Sequence, residues 1–135
     1  MIIDCESETP NGWPQVLHVG KHVLRADVDE KTGSTDSAPG PHEYFDASLA
    51  TCKALTAIWY AKRNGIPLER VETHVERDAS AEQKGVYRLS VRLGFHGAAL
   101  TEAQKQKLYD VVGRCPVHKL MTTTEIVIET APLGG

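Results

Sequence analysis

Apolar and polar positions change period several times along the chain, and each change marks an element. Residues 15–28 place Val16, Leu17, Val19, His22, Val23, Leu24 and Ala26 in a β-rich stretch broken at Gly20-Lys21, which predicts a hairpin of short strands. Residues 29–41 are rich in Gly, Ser, Thr, Asp and Pro and read as a surface loop. The longest helical stretch runs from about 42 to 64. Pro41 suits its first turn, Glu43 and Asp46 complement its positive end, Lys62 and Arg63 its negative end, and Gly65 with Pro67 beyond stops it. Alternation over 68–77 and 85–95 predicts two strands joined by a polar turn at 79–84. A second helix opens at Thr101, with Gln104 at capping-box spacing, and turns Leu108, Val111 and Val112 inward. A short third helix starts at Cys115-Pro116, and Glu125-Ile126-Val127-Ile128-Glu129 is expected to close the chain as a strand. The order of elements is that of a single α+β domain over residues 1–135. It has N-terminal strands, a long central cysteine-bearing helix, further antiparallel strands and C-terminal helices.

The long helix carries an expectation about partners. Between Asp46 and Lys62 its only charge is Lys53, while Leu49, Ala50, Cys52, Ala54, Leu55, Ala57, Ile58, Trp59 and Tyr60 cover most of its circumference. One sheet from a chain of 135 residues covers one face of such a helix, so a second copy is expected on the other, giving a homodimer. The alternative is that Trp59 and Tyr60 reach the surface of a monomer. A net charge of -3 with both signs interspersed gives no basic stripe, which argues against nucleic acid or an anionic membrane as partner. No apolar run approaches the roughly 18 residues of a membrane span, and the first residues lack a charged start followed by a hydrophobic segment. A soluble, cytoplasmic protein is expected. Its three cysteines include no C-x-x-C pair, so they read as reduced thiols rather than a disulfide scaffold or a closed zinc site.

The thiols differ in setting. Cys52 lies mid-helix, where the helix dipole helps little and apolar surroundings alone leave a thiol inert; it needs a neighbouring cation to react, and otherwise reads as a small core residue. Cys115 precedes Pro116 at a first helical position and so reads as the cap of the third helix, where free N–H groups and the positive dipole end favour thiolate. His118, three residues on, shares its face. Cys5, near a mobile N-terminus, has no motif partner and reads as incidental.

The segment Gly40-Pro41-His42-Glu43-Tyr44-Phe45-Asp46-Ala47-Ser48-Leu49-Ala50-Thr51-Cys52, followed about 60 residues later by Cys115-Pro116-Val117-His118-Lys119, resembles the OsmC/Ohr family of osmotically induced and organic hydroperoxide resistance proteins. The resemblance covers nearly the whole chain and includes the order of its elements. Around Leu24-Arg25-Ala26-Asp27 it is closer to the OsmC-like branches than to the best-defined hydroperoxide reductases. It implies an OsmC-like fold and an intertwined homodimer with active sites at the subunit interface.

The chemistry it implies is thiol-dependent reduction of organic hydroperoxides in oxidative stress defence. Cys52 would be the peroxidatic thiolate, left as sulfenic acid after releasing an alcohol. Cys115 would resolve it to a disulfide that an external dithiol reduces, with no metal or organic cofactor. Glu43 matches the family's Pro-x-Glu glutamate, which holds an arginine near the nucleophile; Arg25 is the first choice for that cation, with Lys21 and His22 nearby. Two other readings of the same residues stay open. The dimer could bind a small apolar ligand with the cysteines as core, or Cys52, Cys115 and His118 could hold a metal. Other enzyme classes lack their motifs: the chain has no Gly-x-Ser-x-Gly elbow, no phosphate-binding glycine loop and no His-Glu-x-x-His.

Overall fold

Gly20 adopts a φ of +59°, a left-handed conformation that glycine reaches without Cβ strain. It makes the two-residue turn between β2 (Gln15–Val19) and β3 (His22–Ala26), which pair antiparallel with Val19 opposite His22. A strand the sequence did not announce precedes them: β1 (Ile3–Ser7) pairs antiparallel with β2, placing Cys5 opposite Leu17. Cys5 therefore sits in a sheet rather than on a mobile terminus, exposed, its thiol donating to Gln15 Oε1 at 3.7 Å. The computed structural model describes residues 1–134, and these strands belong to the first of two compact units, Met1–Ala47; the second begins at Ser48.

Within the first unit the loop after β3 is organised by Asp27, which is only 2% exposed. Its carboxylate accepts the Val28 N–H at 2.8 Å, the Ser37 N–H at 2.9 Å and the Ser37 hydroxyl at 2.7 Å. The hydroxyls of Ser34 and Ser37 outweigh the cost of burial and hold this carboxyl well below the usual carboxylate range. The Tyr44 hydroxyl donates to the Arg25 carbonyl, fastening the end of β3 to the first turns of α1 (Pro41–Arg63).

From Ser48 onward α1 belongs to the second unit. Leu49, Lys53, Ala57 and Ala61 recur every four residues and form its buried stripe. In the single chain Leu55 is 64% and Trp59 57% exposed, so one chain buries one face of the helix and leaves open the face on which a second copy is expected. β4 (Arg70–Asp78) and β5 (Arg88–His96) form a two-stranded antiparallel sheet, with Val71 opposite Phe95 and Val75 opposite Val91. α2 (Glu102–Val112) starts at the capping box read from sequence, Thr101 Oγ1 accepting the Gln104 N–H and Gln104 Oε1 accepting the Thr101 N–H. Ala57, Ala61, Phe95, Leu108 and Val112 make the core, tightened by an edge-on contact of Phe95 with Tyr109 at 4.8 Å between ring centres. α3 (Pro116–Thr122) follows.

The strand expected at 125–129 is not formed. No strand among the described residues pairs with this segment, and Ile126, Val127 and Ile128 are 62%, 78% and 80% exposed. Branched side chains favour a strand only where a neighbouring strand gives them something to pack against. Among the described residues no helix is long and apolar enough to cross a membrane.

Candidate functional site

Pro116 at the first position of α3 pre-sets its backbone for a helix and makes Cys115 the cap residue, with φ −64° and ψ 159°. This entry brings α3 against α1, where the Val117 N–H donates to Cys52 Sγ at 3.4 Å. The same approach sets the Cys115 thiol in hydrogen-bond contact with Cys52, so the structure brings together the two cysteines that lie far apart in sequence. Neither is in a disulfide, and their exposure differs: Cys52 is half-buried, Cys115 is 0% exposed.

That difference corrects the expectation for Cys115. Burial pushes its thiol up from the ordinary value. The His118 backbone N–H and the charge of Lys53 pull it down, while the bond to the Cys52 sulfur adds to the rise. The helix terminus helps as the sequence suggested, but desolvation is larger.

Cys52 opens on a cavity of about 760 Å³ lined by Leu55, Trp59, Val111, Pro116 and Val117, with Arg114 as the one charged side chain that the described residues place in it. The lining is apolar enough to take a hydrocarbon chain. Thr56 Oγ1 stands 4.0 Å from Cys52 Sγ.

Lys53 is the functional candidate that sequence reasoning missed. Its side chain runs inward and is 5% exposed; Nζ donates to the Val112 carbonyl at 2.8 Å and to His118 Nδ1 at 3.2 Å. An ammonium has no lone pair, so Nδ1 accepts and a neutral His118 ring carries its proton on Nε2. Lys53 and His118 also border a second, smaller cavity of about 310 Å³ between Leu49, Leu93 and Tyr109. The signal was present in the chain, because Lys53 falls on the four-residue stripe of Leu49, Ala57 and Ala61. Among the described residues no group of three His, Cys, Asp or Glu side chains is placed to hold a metal ion, so Cys52, Cys115 and His118 do not form the set left open above.

Arg25 and Glu43 lie in the first unit and are held by different partners. Arg25 makes a two-point pair with Glu8, Nε to Oε1 and Nη2 to Oε2 both at 2.8 Å, and Nη1 donates to the Ser37 carbonyl at 3.4 Å. The Glu43 carboxylate accepts the Gly40 N–H at 3.0 Å, at the start of α1. The carboxylate that fixes the Arg25 guanidinium is thus Glu8, where the sequence suggested Glu43. Lys21 sits in the turn between β2 and β3.

The chain that carries these two thiols belongs to a known family. The OsmC-like protein family model matches residues 33–131, and the chain belongs to that family. Its fold is similar to the OsmC-like protein of Mycoplasma pneumoniae, with a TM-score of 0.70 at 20% identity over 90% of this chain and 86% of that one. It is also similar to the organic hydroperoxide resistance protein OhrB of Bacillus subtilis, with a TM-score of 0.60 at 17% identity over 91% and 92% of the two chains. An organic hydroperoxide resistance protein OsmC from Legionella pneumophila gives 0.61 at 20% identity over 91% and 90%. No protein of curated function matches the sequence.

Proposed function

We propose that this protein is a thiol-dependent peroxidase that reduces organic hydroperoxides through Cys52 and Cys115. The observation that carries the reading is the pairing of a half-exposed sulfur, open to an apolar cavity, with a fully buried thiol in contact with it. The Cys52 thiolate attacks the terminal peroxide oxygen; the O–O bond breaks, the hydroxyl stays on sulfur as sulfenic acid, and the alkoxide takes a proton to leave as alcohol. The Val117 N–H, aimed at Cys52 Sγ, favours negative charge there. Cys115 then attacks the Cys52 sulfur. An S–S bond forms, the S–O bond breaks, and the departing hydroxide leaves with the Cys115 proton as water. An external dithiol reduces the disulfide, in keeping with a cytoplasmic protein.

For Arg25 the role implied by the family resemblance is carried forward: it supplies charge to the Cys52 thiolate, with Glu8 in place of Glu43 as the carboxylate that fixes it, while Glu43 secures the start of α1. The functional state is a homodimer in which a second copy covers Leu55 and Trp59. The decisive experiment supplies an organic hydroperoxide and a dithiol to wild type and Cys52→Ser. Turnover by wild type alone supports the reading, whereas equal, background-level consumption by both removes it. A second reading rests on the apolar lining of the Cys52 cavity: a binding module for a small apolar ligand would bind such a ligand with all thiols intact and consume no peroxide.

A further inference from the structure

We propose that Lys53 is the cation that serves Cys115 and acts on it twice, when Cys115 attacks oxidised Cys52 and when it leaves again during reduction. Access comes first. Cys115 is 0% exposed and Cys52 borders the open cavity, so an incoming dithiol reaches the disulfide only at Cys52. The attacking thiolate forms an S–S bond to Cys52, the Cys52–Cys115 bond breaks, and its electron pair leaves on Cys115. The second thiol of the reductant then attacks its own sulfur in the mixed disulfide and releases Cys52 as thiolate. In both halves of the cycle Cys115 carries negative charge in a place without water, where an anion needs an opposite charge.

Lys53 is built to supply it. It follows Cys52 directly on α1, it is 5% exposed, and its Nζ is fixed by the Val112 carbonyl and His118 Nδ1. Both of those partners are uncharged acceptors when His118 is neutral, so the ammonium buried here gains a counter-charge when Cys115 ionises. The titratable and charged groups set against Cys115 among the described residues are Cys52 and Lys53 on α1 and His118 on α3, with Arg114 beside it in the chain. Of these, Lys53 is the buried cation. It is a positioning residue, acting through the Cys115 sulfur. The role in resolution rests on the peroxidase reading; the role in disulfide reduction does not.

The test uses disulfide prepared with a general thiol oxidant in a Cys5→Ser background, so that it is independent of peroxide chemistry. Reduction by dithiothreitol is followed across neutral to alkaline pH in the parent, Lys53→Met, Lys53→Gln and Lys53→Arg. Loss of a nearby charge is felt in thiol exchange as roughly a 3- to 30-fold change. Lys53→Met and Lys53→Gln should be slower by that factor, with the pH profile displaced upward, and Lys53→Arg should recover much of the rate. A monothiol trapped as mixed disulfide should map to Cys52. Unchanged rates and profiles in Lys53→Gln, or a mixed disulfide on Cys115, would overturn the proposal; should Lys53→Met fail to fold, Lys53→Gln and the mapping decide. If these outcomes hold while the wild type consumes no hydroperoxide, the peroxidase reading fails and the assignment of Lys53 stands.

Discussion

Replacing Leu108 by alanine should remove a large part of the stability of the second unit. Leu108 is 0% exposed and packs in the core with Ala57 and Ala61 of α1, Phe95 of β5 and Val112 of α2. Truncation of a buried leucine costs about 2–5 kcal/mol, the higher values applying where neighbours cannot close the space. Here Ala57 and Ala61 have no side-chain length to extend, and Phe95 is held edge-on by Tyr109, whose hydroxyl donates to the Leu93 carbonyl at 2.9 Å. We therefore expect a loss of about 3–4 kcal/mol. With a urea dependence of roughly 2 kcal/mol per molar for a chain of this size, the unfolding midpoint should fall by roughly 1.5–2 M. Urea titration at one fixed protein concentration, followed by circular dichroism, measures it; the concentration is held because self-association shifts apparent stability. A loss below about 1 kcal/mol, with an unchanged slope, would show that Leu108 is not enclosed as described.

Thr101→Ala should cost about 1 kcal/mol, because it removes the acceptor of the Gln104 N–H at the start of α2; the same urea titration reads it. Asp27 is depressed in the folded state, so its contribution is fully present above the unfolded value of about 3.9 and is lost as pH falls through the folded value. Melting of wild type and Asp27→Asn should accordingly differ most near neutrality and converge under strong acid; a constant difference would refute the linkage. Cys115→Ser should undergo a single oxidation at Cys52 and stall as sulfenic acid or over-oxidise, visible by mass spectrometry after one equivalent of peroxide. Arg25→Ala should displace the pH dependence of Cys52 alkylation upward without unfolding the protein, and coincident curves for wild type and variant would remove Arg25 from the mechanism.

Much of the fold was legible because its signals are local. The turn at Gly20, the helix closed by Gly65 and the Thr101–Gln104 box each rest on residues within a few positions of one another. β1 was not read: its alternation of Ile3 and Cys5 with Asp4 and Glu6 spans only five residues, and all five are exposed, so no core packing reinforces it. With β1 unread, Glu8 just after it could not be recognised as the partner of Arg25, 17 residues away. The 125–129 segment failed in the opposite sense, its side chains favouring a strand for which the described chain supplies no neighbour. At the site, the cysteine positions and the cap role of Cys115 followed from Pro116 and helix geometry. The depth of Cys115 did not, since burial is created by α1 arriving from far away in sequence, and that burial outweighs the helix end.

The central claim is that Cys52 and Cys115 are one redox pair serving one peroxide. Adding one equivalent of an organic hydroperoxide to reduced Cys5→Ser protein, then quantifying alcohol and mapping the thiols by peptide mass spectrometry, tests it most directly. One alcohol and one Cys52–Cys115 disulfide per chain are expected, restored to two thiols by a dithiol. Hydroperoxide left unconsumed with both thiols intact would contradict it.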